Sequence, residues 1–163
     1  MVRLGLCCLF FREPVRFYTT TVTAMLRLKR SEVLKKISGL CLTNADSLYK
    51  ALRYCADHGI GGFRINSQIF PVKTHPQAGY AIENLPESQE IVRRFKACGR
   101  FAKEKNIRLS FHPDQFVVLS SADRGVTERS VRELEYQAQV SEWVGADVIN
   151  VHGGGAYGDK PAA

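Results

Sequence analysis

The chain has 163 residues, with 23 Lys plus Arg against 16 Asp plus Glu, a formal charge of +7. Hydrophobic residues at 45% and charged residues at 24% match a globular domain and exclude a disordered tail, a collagen-like repeat and a coiled coil. No run approaches the ~20 apolar residues of a membrane helix, and the length suits one domain over 1–163, with a core of fair size.

The chain opens with an apolar run, Val2 to Cys7, read as a buried strand. Leu4 to Phe11 imitates a secretory segment, but Arg12-Glu13-Pro14 stands where a small-residue cleavage site belongs, so export is rejected. Pro14 to Arg30 contains no acid, a faint likeness to a transit peptide; the expectation is nevertheless a cytoplasmic chain. After a loop holding Thr19-Thr20-Thr21, Leu34, Ile37, Leu40, Leu48, Leu52 and Cys55 recur at helical spacing and stop at His58-Gly59. One long helix or two joined near Thr43-Asn44 fit equally.

Gly61 to Asn66 reads as the second strand, followed by a long polar loop with Pro71, Thr74-His75-Pro76 and Gly79-Tyr80. Loops of that length are usually functional or disordered. A helix over Pro86–Lys105 leads to the third strand, Ile107 to His112. A third helix, marked by Val131, Leu134, Ala138 and Trp143 and closed by Gly145, leads to the fourth strand, Asp147 to His152. Alternation of this kind means an α/β fold with a parallel sheet and helical crossovers. A doubly wound open sheet and the first half of a (β/α)8 barrel both remain open, since a whole barrel needs about 250 residues.

The five cysteines, Cys7, Cys8, Cys41, Cys55 and Cys98, include no C-x-x-C pair and are odd in number. Free, mostly buried thiols in a reducing compartment fit them better than a disulfide framework.

His112 and His152 each close a strand in successive units, so both belong at the carboxyl edge of the sheet, where α/β proteins keep their sites. Neighbouring parallel strands lie ~4.8 Å apart, so two such imidazoles can share one metal ion. No acid stands in an obvious third position; Asp114 reads as a loop-capping residue. His75, held by Pro76, is a third ligand, a proton-transfer group, a phosphate contact or a plain surface histidine. His58 fits a helix end and carries no chemistry. Gly153-Gly154-Gly155-Ala156-Tyr157-Gly158 suits a backbone nest for phosphate but lacks the Lys-Ser/Thr of a P-loop. Gln115-Phe116 offers an amide and a ring able to engage an exposed base, or a ring that packs inward.

His112-Pro113-Asp114-Gln115-Phe116 and Val151-His152-Gly153-Gly154-Gly155-Ala156-Tyr157-Gly158 together resemble the UV-damage endonuclease family. Arg3-Leu4-Gly5, Phe63-Arg64-Ile65-Asn66-Ser67 and the stretch from Phe70-Pro71 to His75-Pro76 agree in order. The resemblance implies a TIM barrel that nicks UV-damaged double-stranded DNA 5′ to photoproducts with a cluster of divalent metals, most often manganese. It implies His112 and His152 as ligands of one metal, His75 as a catalytic histidine lining the site, and Gln115 and Phe116 as the pair that enters the duplex. Gly153, Gly154, Gly155 and Tyr157 would form the loop against phosphate.

Two departures accompany it. Leu6 and the run Cys7 to Phe11 stand where the family carries an aromatic residue and an asparagine. The chain also halts after the fourth strand, so the later Glu, Asp, His and Lys positions of the family lack counterparts. That predicts open sheet edges, self-association or a separate C-terminal half, and little or no nicking by this polypeptide alone. Two other readings remain: a metal-dependent sugar isomerase or epimerase on the same fold, and a DNA-binding remnant without catalysis.

Overall fold

The computed structural model describes residues 2–155, and its four strands are parallel and hydrogen-bonded in chain order. β1 (Gly5–Leu6) pairs with β2 (Gly62–Ile65), β2 with β3 (Arg108–Phe111), and β3 with β4 (Val148–Ile149). The central register sets Phe63 beside Leu109 and Ile65 beside Phe111. A right-handed crossover between consecutive neighbours returns every helix to one face. Strand order never reverses, so the winding is that of a barrel and not of a doubly wound sheet.

The helices follow from local chemistry. α1 (Val22–Leu26), inside what reads as loop from sequence, starts where the Thr21 hydroxyl accepts from the Ala24 amide at 3.2 Å. α2 (Arg30–Asp57) is a single unbroken helix, and the Glu32 carboxylate accepts from the Lys29 amide at 3.0 Å at its start. It ends at His58, and Gly59, at φ 66°, turns the chain so that the Ile60 amide reaches the Cys55 carbonyl at 2.8 Å. α3 (Ser88–Glu104) turns Ile91, Phe95, Cys98 and Ala102 inward, as its spacing predicts. α4 (Arg124–Val144) is capped by Asp123, whose Oδ1 accepts from Gly125 at 2.7 Å.

The core lies between these helices and the sheet. Phe63, Phe70, Phe95 and Phe111 are fully buried, with the Phe70 and Phe95 ring centroids 4.9 Å apart. Each such ring contributes roughly 2–3 kcal/mol through burial. The stretch after β2, read from sequence as a polar loop, is instead packed: Ile69, Phe70, Ala78 and Tyr80 are buried in it. Buried Asn44 of α2 holds it, donating to the Ile69 carbonyl at 2.9 Å while also pairing with both backbone groups of Tyr18.

Two expectations need correction. The fourth strand ends at Ile149, so His152 lies three residues beyond it and not at its last position. Asn150 still donates to the Phe111 carbonyl at 2.9 Å; past that point the backbone leaves β3 and His152 bridges to Val118. On α4, Val131 and Ala138 are exposed, and Ser130, Tyr136, Gln137, Val140 and Val144 are buried instead. Polar atoms turned inward explain the shift: the buried Tyr136 hydroxyl donates to the Ser67 carbonyl and accepts from the Phe70 amide, both at 3.1 Å. Burial raises the Tyr136 phenol well above its ordinary pKa and keeps this donor neutral. Among the described residues, no helix is long and apolar enough to cross a membrane.

Candidate metal and nucleic-acid site

Alternation along β2 sends Phe63 and Ile65 toward the helices and leaves Arg64 on the opposite, barrel-inner face. β3 repeats the pattern, burying Leu109 and Phe111, and His112 follows at once. The backbone beyond β4 carries His152 alongside. The two imidazoles converge, with Nε2 to Nε2 at 2.8 Å and ring centroids 4.6 Å apart. Arg64 Nη1 lies 3.2 Å from Nδ1 of His112. Partial burial first, then the neighbouring His152 and the Arg64 cation, lower the His112 pKa and favour the neutral ring.

These groups line a shallow depression of about 300 Å3 with Cys8, Asn66, Asp114 and Gln115. Pro113 and Val117 are buried on either side of a tight turn. Within it, Asp114 accepts from the Phe116 amide through Oδ1 at 3.0 Å and from the Val117 amide through its carbonyl at 2.9 Å. Asp114 is thus a loop cap, as its position suggests. Gln115 and Phe116 are left at the exposed tip, and the Phe116 ring is 77% exposed instead of packed inward.

His75 is not in this depression. It lines a neighbouring cleft of about 760 Å3 with Lys73, Arg129, Arg132 and Phe116, and Asp114 borders both. Its Nδ1 accepts from the Gln77 and Ala78 amides at 3.2 and 3.3 Å, which fixes the ring. α4 secures the same segment, because the Thr74 hydroxyl donates to Glu133 at 2.7 Å. Gly153 is tied to Ser120, whose hydroxyl donates to its carbonyl at 2.9 Å, and Gly154 has φ 93°. Gly155 is exposed, whereas Tyr157 lies outside the described residues.

Two imidazole nitrogens aimed at one point suit a borderline metal ion. Among the described residues no group of three His, Cys, Asp or Glu side chains joins them. Arg64 went unassigned in the sequence reading. The alternation of Phe63-Arg64-Ile65 signals its face, but its reach to His112 depends on the pairing of β2 with β3. The thiols behave as read: Cys41, Cys55 and Cys98 are buried and free, with pKa values pushed by burial to about 12, 11 and 12, and Cys7 is exposed.

Comparison with known proteins adds to this geometry. The sequence model of the UV-endonuclease UvdE family matches residues 2–163. The UV DNA damage endonuclease of Bacillus velezensis is 31% identical over 159 residues, covering 96% of this chain and 48% of that protein. The UV DNA damage endonuclease of Nostoc sp. is 33% identical over 157 residues, covering 93% and 47%. The chain spans about half the length of the curated relatives it matches. The crystal structure of SacUVDE superposes with a TM-score of 0.80 at 27% identity, over 99% of this chain and 53% of that one.

Proposed function

Because the chain belongs to the UV-endonuclease UvdE family, we propose that it supplies part of an endodeoxyribonuclease site that hydrolyses the phosphodiester 5′ to UV photoproducts in double-stranded DNA. The observation that carries this reading is the His112–His152 convergence at 2.8 Å beside a turn that exposes Gln115 and Phe116. A turn suited to bases would thus adjoin the donor pair, with Gln115 lining the same depression and Phe116 the neighbouring cleft.

His112 and His152 would hold one divalent ion, manganese in this reading, through their Nε2 atoms. When bound, such an ion supplies Lewis-acid activation of water and neutralises phosphoryl charge. Gln115 and Phe116 would enter the duplex, where stacking broken by a lesion makes unpairing cheapest. His75, with Lys73, Arg129 and Arg132 along the adjacent cleft, would contact backbone phosphates or move a proton at its Nε2. The carbonyl-tethered loop at Gly153 to Gly155 would face a phosphate through its amides. The five unpaired cysteines support a cytoplasmic location. The outer edges of β1 and β4, unpaired among the described residues, support association with a second copy or a further strand–helix segment.

With only two converging donors among the described residues, binding without efficient cleavage is the expected behaviour of this polypeptide alone. A duplex carrying one photoproduct, incubated with the chain and manganese, tests both halves. Preferential, salt-sensitive binding to the damaged duplex is expected, with little nicking. Equal affinity for intact duplex would contradict the DNA reading, and efficient lesion-specific nicking would contradict the incomplete site.

A further inference from the structure

A second charged surface lies at the opposite end of the strands from the histidines. β3 begins at Arg108 and His112 follows its last residue, so the two rims stand roughly 13 Å apart along the strand. At the amino-end rim a trough of about 900 Å3 runs between β3, β4 and the ends of α3 and α4. A Cβ on Gly99 would stand 2.6 Å from the Val144 carbonyl oxygen, so α3 passes the end of α4 with no side chain between them. Five cations border the trough, Arg3, Lys96, Arg100, Lys103 and Arg108, against two carboxylates, Glu142 and Asp147. Asp147 is already engaged, accepting from Arg108 Nε at 3.1 Å. Arg3 donates to the Asn106 carbonyl at 3.1 Å and to the Asn106 side-chain oxygen at 3.0 Å, neutral acceptors that fix its guanidinium without cancelling its charge. Lys96, Arg100 and Lys103 are exposed, and among the described residues none of them forms an ion pair. The α3 dipole accounts for Lys103 in the last turn, but that effect fades within one turn and does not reach Lys96 and Arg100.

The spacing i, i+4, i+7 sets Lys96, Arg100 and Lys103 on one stripe about 10 Å long. Three phosphates of one DNA strand span a similar axial length, at ~3.4 Å each. Cations spread along an open trough suit a polyanion better than one small anion. We propose that this amino-end trough is a second nucleic-acid surface, which holds the phosphate backbone of duplex DNA without regard to sequence or lesion. The proposal rests on the proposed function only for the choice of DNA as the polyanion. The trough would hold a stretch of duplex apart from the one that Gln115 and Phe116 enter.

The experiment titrates an undamaged duplex into the wild-type chain and two triple variants. One carries Lys96→Gln, Arg100→Gln and Lys103→Gln; the other carries Lys35→Gln, Lys36→Gln and Lys50→Gln, which removes as much charge from exposed positions of α2. Glutamine keeps the helix propensity of the residues it replaces, and circular dichroism checks the fold. Affinity is followed across salt concentration, and Trp143, the chain's only tryptophan, lines the trough and reports its occupancy by fluorescence. The α3 variant should bind at least about tenfold more weakly at about 0.1 M salt, with a salt slope smaller by about 2–3, at ~0.9 per phosphate contact. The α2 variant should lose no more than about threefold, because its charges are screened from the trough. Trp143 emission should change with duplex in the wild type and the α2 variant. No binding of undamaged duplex by the wild type, an equal loss in both variants, an unchanged slope in the α3 variant, or Trp143 emission indifferent to duplex overturns the proposal. A preference for damaged duplex that is absent from all three proteins overturns the carboxyl-edge reading instead, while the slope still decides the trough.

Discussion

The two faces of β2 and β3 are made by alternate residues of the same few positions, yet they are governed by different physics. On the helix side Phe63, Ile65, Leu109 and Phe111 are buried, and their area removed from water defines the register. On the other side Gly62, Arg64 and Ser110 border an open hollow with Cys7, Val148 and Asn150. Parallel sheets are usually covered on both faces, so the one left open among the described residues is free of their packing demands. The contrast teaches where chemistry can reside: one face secures the strands, and the other can carry a guanidinium, an imidazole and an exposed turn at small cost to stability.

Substitutions in the helix layer and on the open face should therefore differ by nearly an order of magnitude. Phe95→Ala, against Phe70 in the core, is expected to lower stability by about 3–5 kcal/mol, read as the midpoint of urea unfolding. A loss below about 1 kcal/mol would show that the helix layer does not depend on this contact. Asn44→Ala should cost about 2–3 kcal/mol, because three backbone groups of Tyr18 and Ile69 lose their partner together. Protection of the Tyr18 amide from hydrogen exchange should fall with it. Ser110→Ala on the open face should change stability by no more than about 0.5 kcal/mol; a larger loss would mean that the hollow is covered in solution.

The legibility of the sequence divides along the same line. Helix α3 and strands β2 and β3 were readable, because Ile91, Phe95, Cys98, Ala102 and the alternating Phe63 and Ile65 are buried by side-chain pattern alone. α4 was misread on its inner face because Tyr136 and Gln137, polar in any hydropathy pattern, face inward, Tyr136 to hold the loop after β2. His112, read from sequence as the last residue of its strand, stands one position past it. His152 stands farther past its own, since an edge strand with one partner ends where its ladder ends, and that depends on β3 and on Val118. The partnership of Arg64 with His112 spans 48 residues, and no local spacing encodes it.

The central claim is that two histidines from successive units form a metal pair at the carboxyl edge of the sheet. Calorimetric titration of manganese into the wild-type chain, His112→Ala and His152→Ala tests it most directly. The account predicts measurable binding in the wild type that is lost in both variants, since neither Nε2 alone offers more than one protein donor. Binding that survives both substitutions unchanged, or is absent from the wild type, would contradict it.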